Sequence, residues 1–226
     1  MTPQTAAELA KFIDHTLLAP EATRDEVLST CRDAVAWQVA AVCISPSWLP
    51  LPLGVMDEGL RLCTVVGFPS GAHTSAMKAA EAGEAVRNSA DEIDVVVNLG
   101  LVRAGDWKGV EAEVQAVRSA IDEMAGEWVL KVICESAALS DNELRNTCRA
   151  VVAGGADFVK TSTGFHKAGG ATERAVAIMR ETVGDSVGVK ASGGIRTTAA
   201  ALAMIAAGAT RIGASATREI LAGMTA

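Results

Sequence analysis

Three of the seven lysines in this 226-residue sequence stand where lysine is rarely found. Lys131, Lys160 and Lys190 lie in Val-Leu-Lys-Val-Ile, Phe-Val-Lys-Thr-Ser and Gly-Val-Lys-Ala-Ser, short apolar runs that read as strands. The other four, Lys11, Lys78, Lys108 and Lys167, fall in helix or loop contexts and read as solvated. One strand lysine alone could point outward and snorkel to water. Three on consecutive strands indicate a shared polar interior, because lysine is almost never buried without a partner. The acids nearby are Asp94, in Glu-Ile-Asp-Val-Val-Val, and Glu135, which closes the strand of Lys131. Alternation puts Asp94, Val96 and Asn98 on one face, and likewise Lys131, Ile133 and Glu135. An inward Asp94 must pair with a cation, and these lysines are at hand.

The chemistry that suits such a set is amine attack on a carbonyl. The amine must be neutral, and an ordinary lysine is protonated at pH 7. Desolvation and a neighbouring positive charge both favour the neutral form. Lys160 and Lys190, on strands about 4.8 Å apart, are expected to depress one another as a coupled pair. One would be the nucleophile, and the other would stay charged and move protons with a carboxylate.

A second constellation suits an anion. Ser192-Gly193-Gly194-Ile195-Arg196 follows one strand and runs into a helix from Thr197, and Gly213-Ala214-Ser215 does the same near the end of the sequence. Glycines let backbone N–H groups approach a phosphate, and a helix N-terminus adds positive potential. Thr163-Gly164, after Lys160, offers a further backbone donor.

The elements that must carry these groups alternate regularly. Strands are expected at Ile13–Leu17, Val39–Ile44, Leu62–Gly67, Glu92–Asn98, Trp128–Cys134, Phe158–Ser162, Val187–Ala191 and Arg211–Gly213. Near-continuous apolar runs such as Val95-Val96-Val97 suit strands covered on both faces. Thr23 to Glu26 and Ser140 to Glu143 have capping-box spacing. A helix is expected over 106–125, its stripe formed by Val110, Val114, Val117, Ile121 and Met124, with Gly126 as its stop. Ala-Gly-Gly-Ala at 153–156 and Ala-Ala-Gly-Ala at 206–209 end helices just before strands. Pro46–Pro52 reads as a loop. Eight strands alternating with helices indicate one (β/α)8 barrel spanning 1–226, where catalytic groups sit at the C-terminal strand ends and phosphate sites follow strands seven and eight. An open doubly wound sheet is the alternative, weakened because no G-x-G-x-x-G follows the first strand.

Composition narrows the partners. A net charge of −7 does not favour nucleic acid or anionic lipid, and no apolar run is long enough to span a membrane. The N-terminus does not read as a signal peptide. Five cysteines without a C-x-x-C pair read as free buried thiols in a reducing cytoplasm. The histidines, His15, His73 and His166, have no metal-ligand spacing. No metal or other cofactor is therefore expected, and apolar helix faces suggest a homodimer.

The motifs together resemble the 2-deoxyribose-5-phosphate aldolase family of class I aldolases. The resemblance rests on Ile13-Asp14-His15-Thr16-Leu17-Leu18, Val65-Val66-Gly67-Phe68-Pro69, Glu92–Asn98, Lys131-Val132-Ile133, Lys160-Thr161-Ser162-Thr163-Gly164-Phe165 and Lys190-Ala191-Ser192-Gly193-Gly194-Ile195-Arg196. It implies that Lys160 is the Schiff-base lysine and that Asp94 and Lys190 move protons through a bound water. Asp14, Thr16 and Lys131 would be accessory polar groups, and Cys43 would lie close to the substrate. Gly164, Gly193, Gly194, Gly213 and Ser215 would bind phosphate. Small sugar phosphates and aldehydes would be the ligands. Some members bring a C-terminal tyrosine into the site; this sequence has no tyrosine, which leaves Asp94, Lys190 and water for proton transfer. Lys160→Ala should then abolish activity, and changes at Asp94 or Lys190 should cost powers of ten with the fold intact. Another lysine aldolase or a transaldolase on the same barrel, or a non-catalytic phosphate-metabolite barrel, would share most of these features.

Overall fold

The computed structural model describes residues 2–57 and 59–224. Eight strands, β1 (Ile13–Leu17), β2 (Ala41–Ile44), β3 (Arg61–Val66), β4 (Glu92–Val96), β5 (Val129–Ile133), β6 (Phe158–Lys160), β7 (Gly188–Ser192) and β8 (Arg211–Ala214), pair in chain order and close into a barrel. All pairs are parallel, and consecutive strands are joined by connections long enough to return the chain to the same end of the barrel. The expected barrel is therefore the observed one.

Helix α1 (Ala6–Ala10) precedes the barrel, and α2 (Arg24–Trp37), α3 (Ser75–Arg87), α4 (Leu99–Ala104), α5 (Trp107–Asp122), α6 (Asp141–Ala153), α7 (Glu173–Val183), α8 (Thr198–Ala206) and α9 (Thr217–Ala222) cover it. Both expected capping boxes form, at Thr23 for α2 and Ser140 for α6. The α5 stripe Val110, Val114, Val117 and Ile121 is fully buried. Burying each such side chain stabilises by roughly 1.5–3 kcal/mol. That helix ends earlier than expected, with Glu123 as its cap; Met124 is partly exposed and Gly126 lies beyond it. Between β2 and β3 the described residues make a short 3-10 turn, Pro46–Trp48, and no α-helix.

Strand ends also differ from expectation where side chains recruit the backbone. β4 stops at Val96 because Asn98 turns to cap α4, accepting from the N–H groups of Gly100 and Leu101. β6 stops at Lys160, yet Thr161 stays tied to β7: its N–H donates to the Lys190 carbonyl at 2.9 Å and its hydroxyl to that of Ser192 at 3.0 Å. Among the described residues no helix is long and apolar enough to cross a membrane.

Lys78 departs from its expected solvation. It is fully buried on α3, pairs with Glu113 of α5 at 2.9 Å and donates to the Val96 carbonyl at 2.7 Å. Glu113 in turn accepts from the Asn98 N–H at 2.9 Å. Gly67 leaves room for this lysine: a Cβ there would lie 2.9 Å from Lys78 Cε. Two charges thus hold the end of β4 from behind the barrel wall.

Candidate active site

Register delivers the lysines to one place. Asp94 stands opposite Lys131, and Lys160 opposite Lys190. All four point into the barrel, and Asp94, Lys131 and Lys190 are fully buried while Lys160 is 3% exposed. Asp94 Oδ2 accepts from Lys160 Nζ and from Lys190 Nζ at 2.7 Å each, and its Oδ1 accepts from Lys131 Nζ at 2.7 Å. Asp14, from β1, reaches Lys190 at 2.5 Å and lies 3.9 Å from Lys131.

Two residues outside the sequence-based set complete the network. Glu92 pairs with Lys131 at 2.6 Å, and Arg211 of β8 pairs with Asp14 at 2.7 Å and with Glu92 at 3.4 Å. Glu92 was legible by alternation, since it lies two residues before Asp94 on the same inward face. Arg211 gave no local signal beyond its place at the start of a strand.

The network therefore joins three carboxylates to four basic groups. Lys131 meets three of those carboxylates, Lys190 two and Lys160 one. Burial acts against the charge of Lys190, but the carboxylates of Asp14 and Asp94 outweigh it and raise this lysine above its ordinary value. Lys131 is raised in the same way by Asp94 and Glu92. Mutual depression of Lys160 and Lys190 is thus not what governs Lys190: two close carboxylates decide its charge. Burial also opposes ionisation of Asp14 and Asp94, yet the surrounding cations hold both below the usual carboxylate range.

Above this floor opens a cleft of about 550 Å³. Lys160 and Thr16 line it, as do Gly164, Gly193, Gly194, Gly213 and Ser215. The remaining sequence-predicted groups, Asp14, Asp94, Lys131 and Lys190, lie beneath it. Thr16 donates its hydroxyl to the Asp14 carbonyl at 2.8 Å. Gly164, Gly193 and Gly194 have φ of 83°, 90° and 84°. Among the described residues, the N–H groups of Gly164, Gly193, Gly194 and Ser215 donate to no protein acceptor. Such amides, turned to a cleft, form a nest for an anion. Arg196 also lines the cleft.

Cys43 belongs to the inner barrel wall, packed with Ala41, Cys63, Val65, Leu18 and Phe68, and does not line the cleft. Its hydrogen bond with Cys63 lowers the Cys43 thiol from its ordinary value, whereas burial pushes Cys63 up. Cys43, Cys63 and Asp94, and separately Asp14, Cys63 and Glu92, bring donor atoms within 4.8 Å of one another, as a metal ion would need. Lysine ammonium groups already occupy these donors: Lys131 Nζ is 3.3 Å from Cys63 Sγ and 2.7 Å from Asp94. A dication there would be opposed by Lys131, Lys160 and Lys190.

The sequence profile of the DeoC/LacD family aldolases matches residues 9–223. The chain belongs to this family. Within it, the chain is 56% identical over 220 residues to a deoxyribose-phosphate aldolase of Kocuria rhizophila, covering 97% of this chain and 98% of that one. A deoxyribose-phosphate aldolase of Mycolicibacterium paratuberculosis is 54% identical, with 99% and 100% covered. Among solved structures, the tetrameric deoxyribose phosphate aldolase of Aeropyrum pernix superposes with a TM-score of 0.88 at 31% identity, covering 98% of this chain and 92% of that one. This DeoC/LacD chain is therefore an aldolase, with its buried lysine network beneath the cleft of the barrel.

Proposed function

We propose that this aldolase cleaves 2-deoxyribose 5-phosphate to glyceraldehyde 3-phosphate and acetaldehyde through a Schiff base on Lys160. The observation that carries the reading is one cleft lined both by a lysine and by four residues whose amides, among the described residues, have no protein acceptor. The names of the close relatives support the substrate.

Lys160 is the nucleophile because it alone of the three lysines reaches the cleft, and because it has the fewest carboxylate partners. With four basic groups against three carboxylates, one proton can leave without unpairing a carboxylate. Lys160 Nζ attacks C1 of the open-chain sugar, and loss of water gives an iminium. The C3 hydroxyl loses its proton, the C2–C3 electron pair moves into the iminium, and glyceraldehyde 3-phosphate departs. The enamine left behind is protonated at C2, and hydrolysis releases acetaldehyde and restores the amine. Lys190, held charged by Asp14 and Asp94, supplies and retrieves protons with Asp94 through water. Asp14, Thr16 and Lys131 keep these groups in place, and Cys43 packs behind them. Gly164, Gly193, Gly194, Gly213 and Ser215 bind the phosphate.

Borohydride reduction in the presence of acetaldehyde tests this directly. The Lys160 peptide should carry one ethyl group in place of an amine hydrogen, a net gain of C₂H₄, and activity should vanish. An unmodified Lys160 peptide in reduced, acetaldehyde-treated protein would overturn the reading.

We further propose that residues 1–226 act as one catalytic domain, in the cytoplasm and as a homodimer. Five free buried cysteines suit a reducing compartment. Leu53, fully exposed, and Met77, 58% exposed, offer apolar surface for a second copy. Sedimentation equilibrium at the mass of one chain would overturn the dimer.

A further inference from the structure

Glu135 is a buried carboxylate that the mechanism does not use. It sits at the C-terminal end of β5 with φ of 56°, in the left-handed region that a non-glycine residue rarely adopts. It is 1% exposed, and among the described residues it has no ion-pair partner. A carboxylate so placed needs donors, and it takes all of them from one residue of the next loop. Thr163 donates its hydroxyl to Glu135 Oε2 at 2.6 Å and its N–H to both oxygens at 3.3 Å.

The direction of this contact matters. A carboxylate only accepts, so the Thr163 hydroxyl hydrogen is committed to Glu135. The hydroxyl oxygen is then free to accept, and it does so from the Phe165 N–H at 3.1 Å. Glu135 thus fixes Thr163, and through it Phe165. Gly164 lies between these two pinned residues and lines the cleft, and among the described residues its own N–H has no protein acceptor. Phe165, though half exposed, rests edge-on against Phe68 at 5.2 Å.

We infer that Glu135 is a positioning residue for substrate recognition: it holds the Thr163–Phe165 turn so that the Gly164 amide meets the phosphate. It acts on binding rather than on bond breaking, since Lys160 and its carboxylates lie in a separate network. The inference rests on the reading of the cleft as the site of a phosphorylated sugar.

The test compares 2-deoxyribose 5-phosphate with unphosphorylated 2-deoxyribose in wild type, Glu135→Gln, Thr163→Val and Thr163→Ser. Glutamine keeps one acceptor oxygen but loses the charge and turns an NH₂ toward the Thr163 N–H, so the anchor of the turn is weakened. Hydrogen bonds to a charged acceptor are strong enough that KM for the phosphorylated sugar should rise about tenfold or more. Its kcat, the pH profile of kcat, and kcat/KM for the unphosphorylated sugar should stay near wild type. Thr163→Val should lose the same preference, Thr163→Ser should keep it, and the Glu135→Gln, Thr163→Val double variant should be no worse than either single one. A phosphorylated-to-unphosphorylated preference unchanged in both Glu135→Gln and Thr163→Val would overturn the inference and leave the site reading standing. Loss of kcat on both sugars, with a shifted pH profile, would overturn it by making Glu135 a proton carrier. Wild type that fails to cleave the phosphorylated sugar would overturn the site reading and this inference with it. If Glu135→Gln does not fold, the two Thr163 variants decide.

Discussion

Lys160 and Lys190 stand opposite one another on adjacent strands and donate to the same oxygen, Asp94 Oδ2, at the same distance of 2.7 Å. What separates them is Asp14, which touches Lys190 at 2.5 Å and leaves Lys160 to Asp94 alone. The difference assigns them opposite tasks. Lys160→Ala should abolish both turnover and borohydride trapping. Lys190→Met should retain trapping at Lys160 but lose turnover by about 10²–10⁴-fold, the usual worth of a proton carrier. Mass spectrometry of the trapped variants checks this, and trapping at residue 190 in wild type would reverse the assignment.

Asp94 also carries a structural duty as the shared counter-charge of three lysines. Asp94→Asn leaves Lys131, Lys160 and Lys190 with one fewer counter-charge in a buried site. Breaking a buried ion pair from one side costs about 3–5 kcal/mol. The variant should therefore lose stability as well as activity, contrary to the intact fold expected from sequence. Urea unfolding measures the loss, and a midpoint equal to that of wild type would count against the network.

The buried pair behind β4 makes a separate forecast. Lys78→Met or Glu113→Gln alone strands its partner and should each destabilise by about 3–5 kcal/mol. Combining them removes both charges, so the double variant should be more stable than the sum of the single effects by a kcal/mol or more, an order of coupling typical of contacting residues. Burial lowers Lys78 from its ordinary value, and Glu113 opposes that shift. Additive effects in a double-mutant cycle would refute the coupling.

The depressed carboxylates set the pH response. Asp14 ionises below its ordinary value in the folded protein and near 3.9 in the unfolded chain, a pKa of about 3.9 being usual for Asp. Its stabilising contribution is therefore complete above about pH 5 and is lost as pH falls through the lower, folded value. Lys190 is raised, so its contribution is complete below about pH 10 and is lost only in stronger alkali. The stability difference between wild type and Asp14→Asn should be flat from pH 5 to 9, on the order of the pKa limits given, and should shrink below pH 4. A difference already shrinking between pH 7 and 6 would mean that Asp14 is not held ionised by its cations.

Much of this site was legible because alternation is strict within a strand. Asp94 and Lys131 could be turned inward from spacing alone, and the shared interior followed from three lysines in apolar runs. The choice of Lys160 over its neighbours was not legible in spacing, since that depends on Asp14 arriving from β1, across the closure of the barrel. Lys78 was misread because a helical lysine is usually solvated. The signal was present: Lys78, Ala82 and Ala85 recur at helical spacing on one face, and all three are buried. Cys43 was placed near the substrate by resemblance; it is buried in the inner barrel wall, with its sulfur within 4.8 Å of an Asp94 oxygen. The loop over 46–52 was visible in its prolines.

The anion nest yields a last prediction that needs no catalysis. Inorganic phosphate should compete with the substrate, and its inhibition should depend on the glycine loops. Gly193 has φ of 90°, and a Cβ there would lie 3.0 Å from Gly170 Cα and 3.4 Å from that of Gly164. Gly193→Ala would therefore push the loop after β7 away from the turn after β6 and part the amides that must converge on one anion. The inhibition constant for phosphate should rise by about tenfold or more, the worth of one or two charge-assisted hydrogen bonds. Trapping of acetaldehyde on Lys160 by borohydride should persist, because acetaldehyde carries no phosphate. Equal phosphate inhibition of wild type and Gly193→Ala would place the anion elsewhere in the cleft.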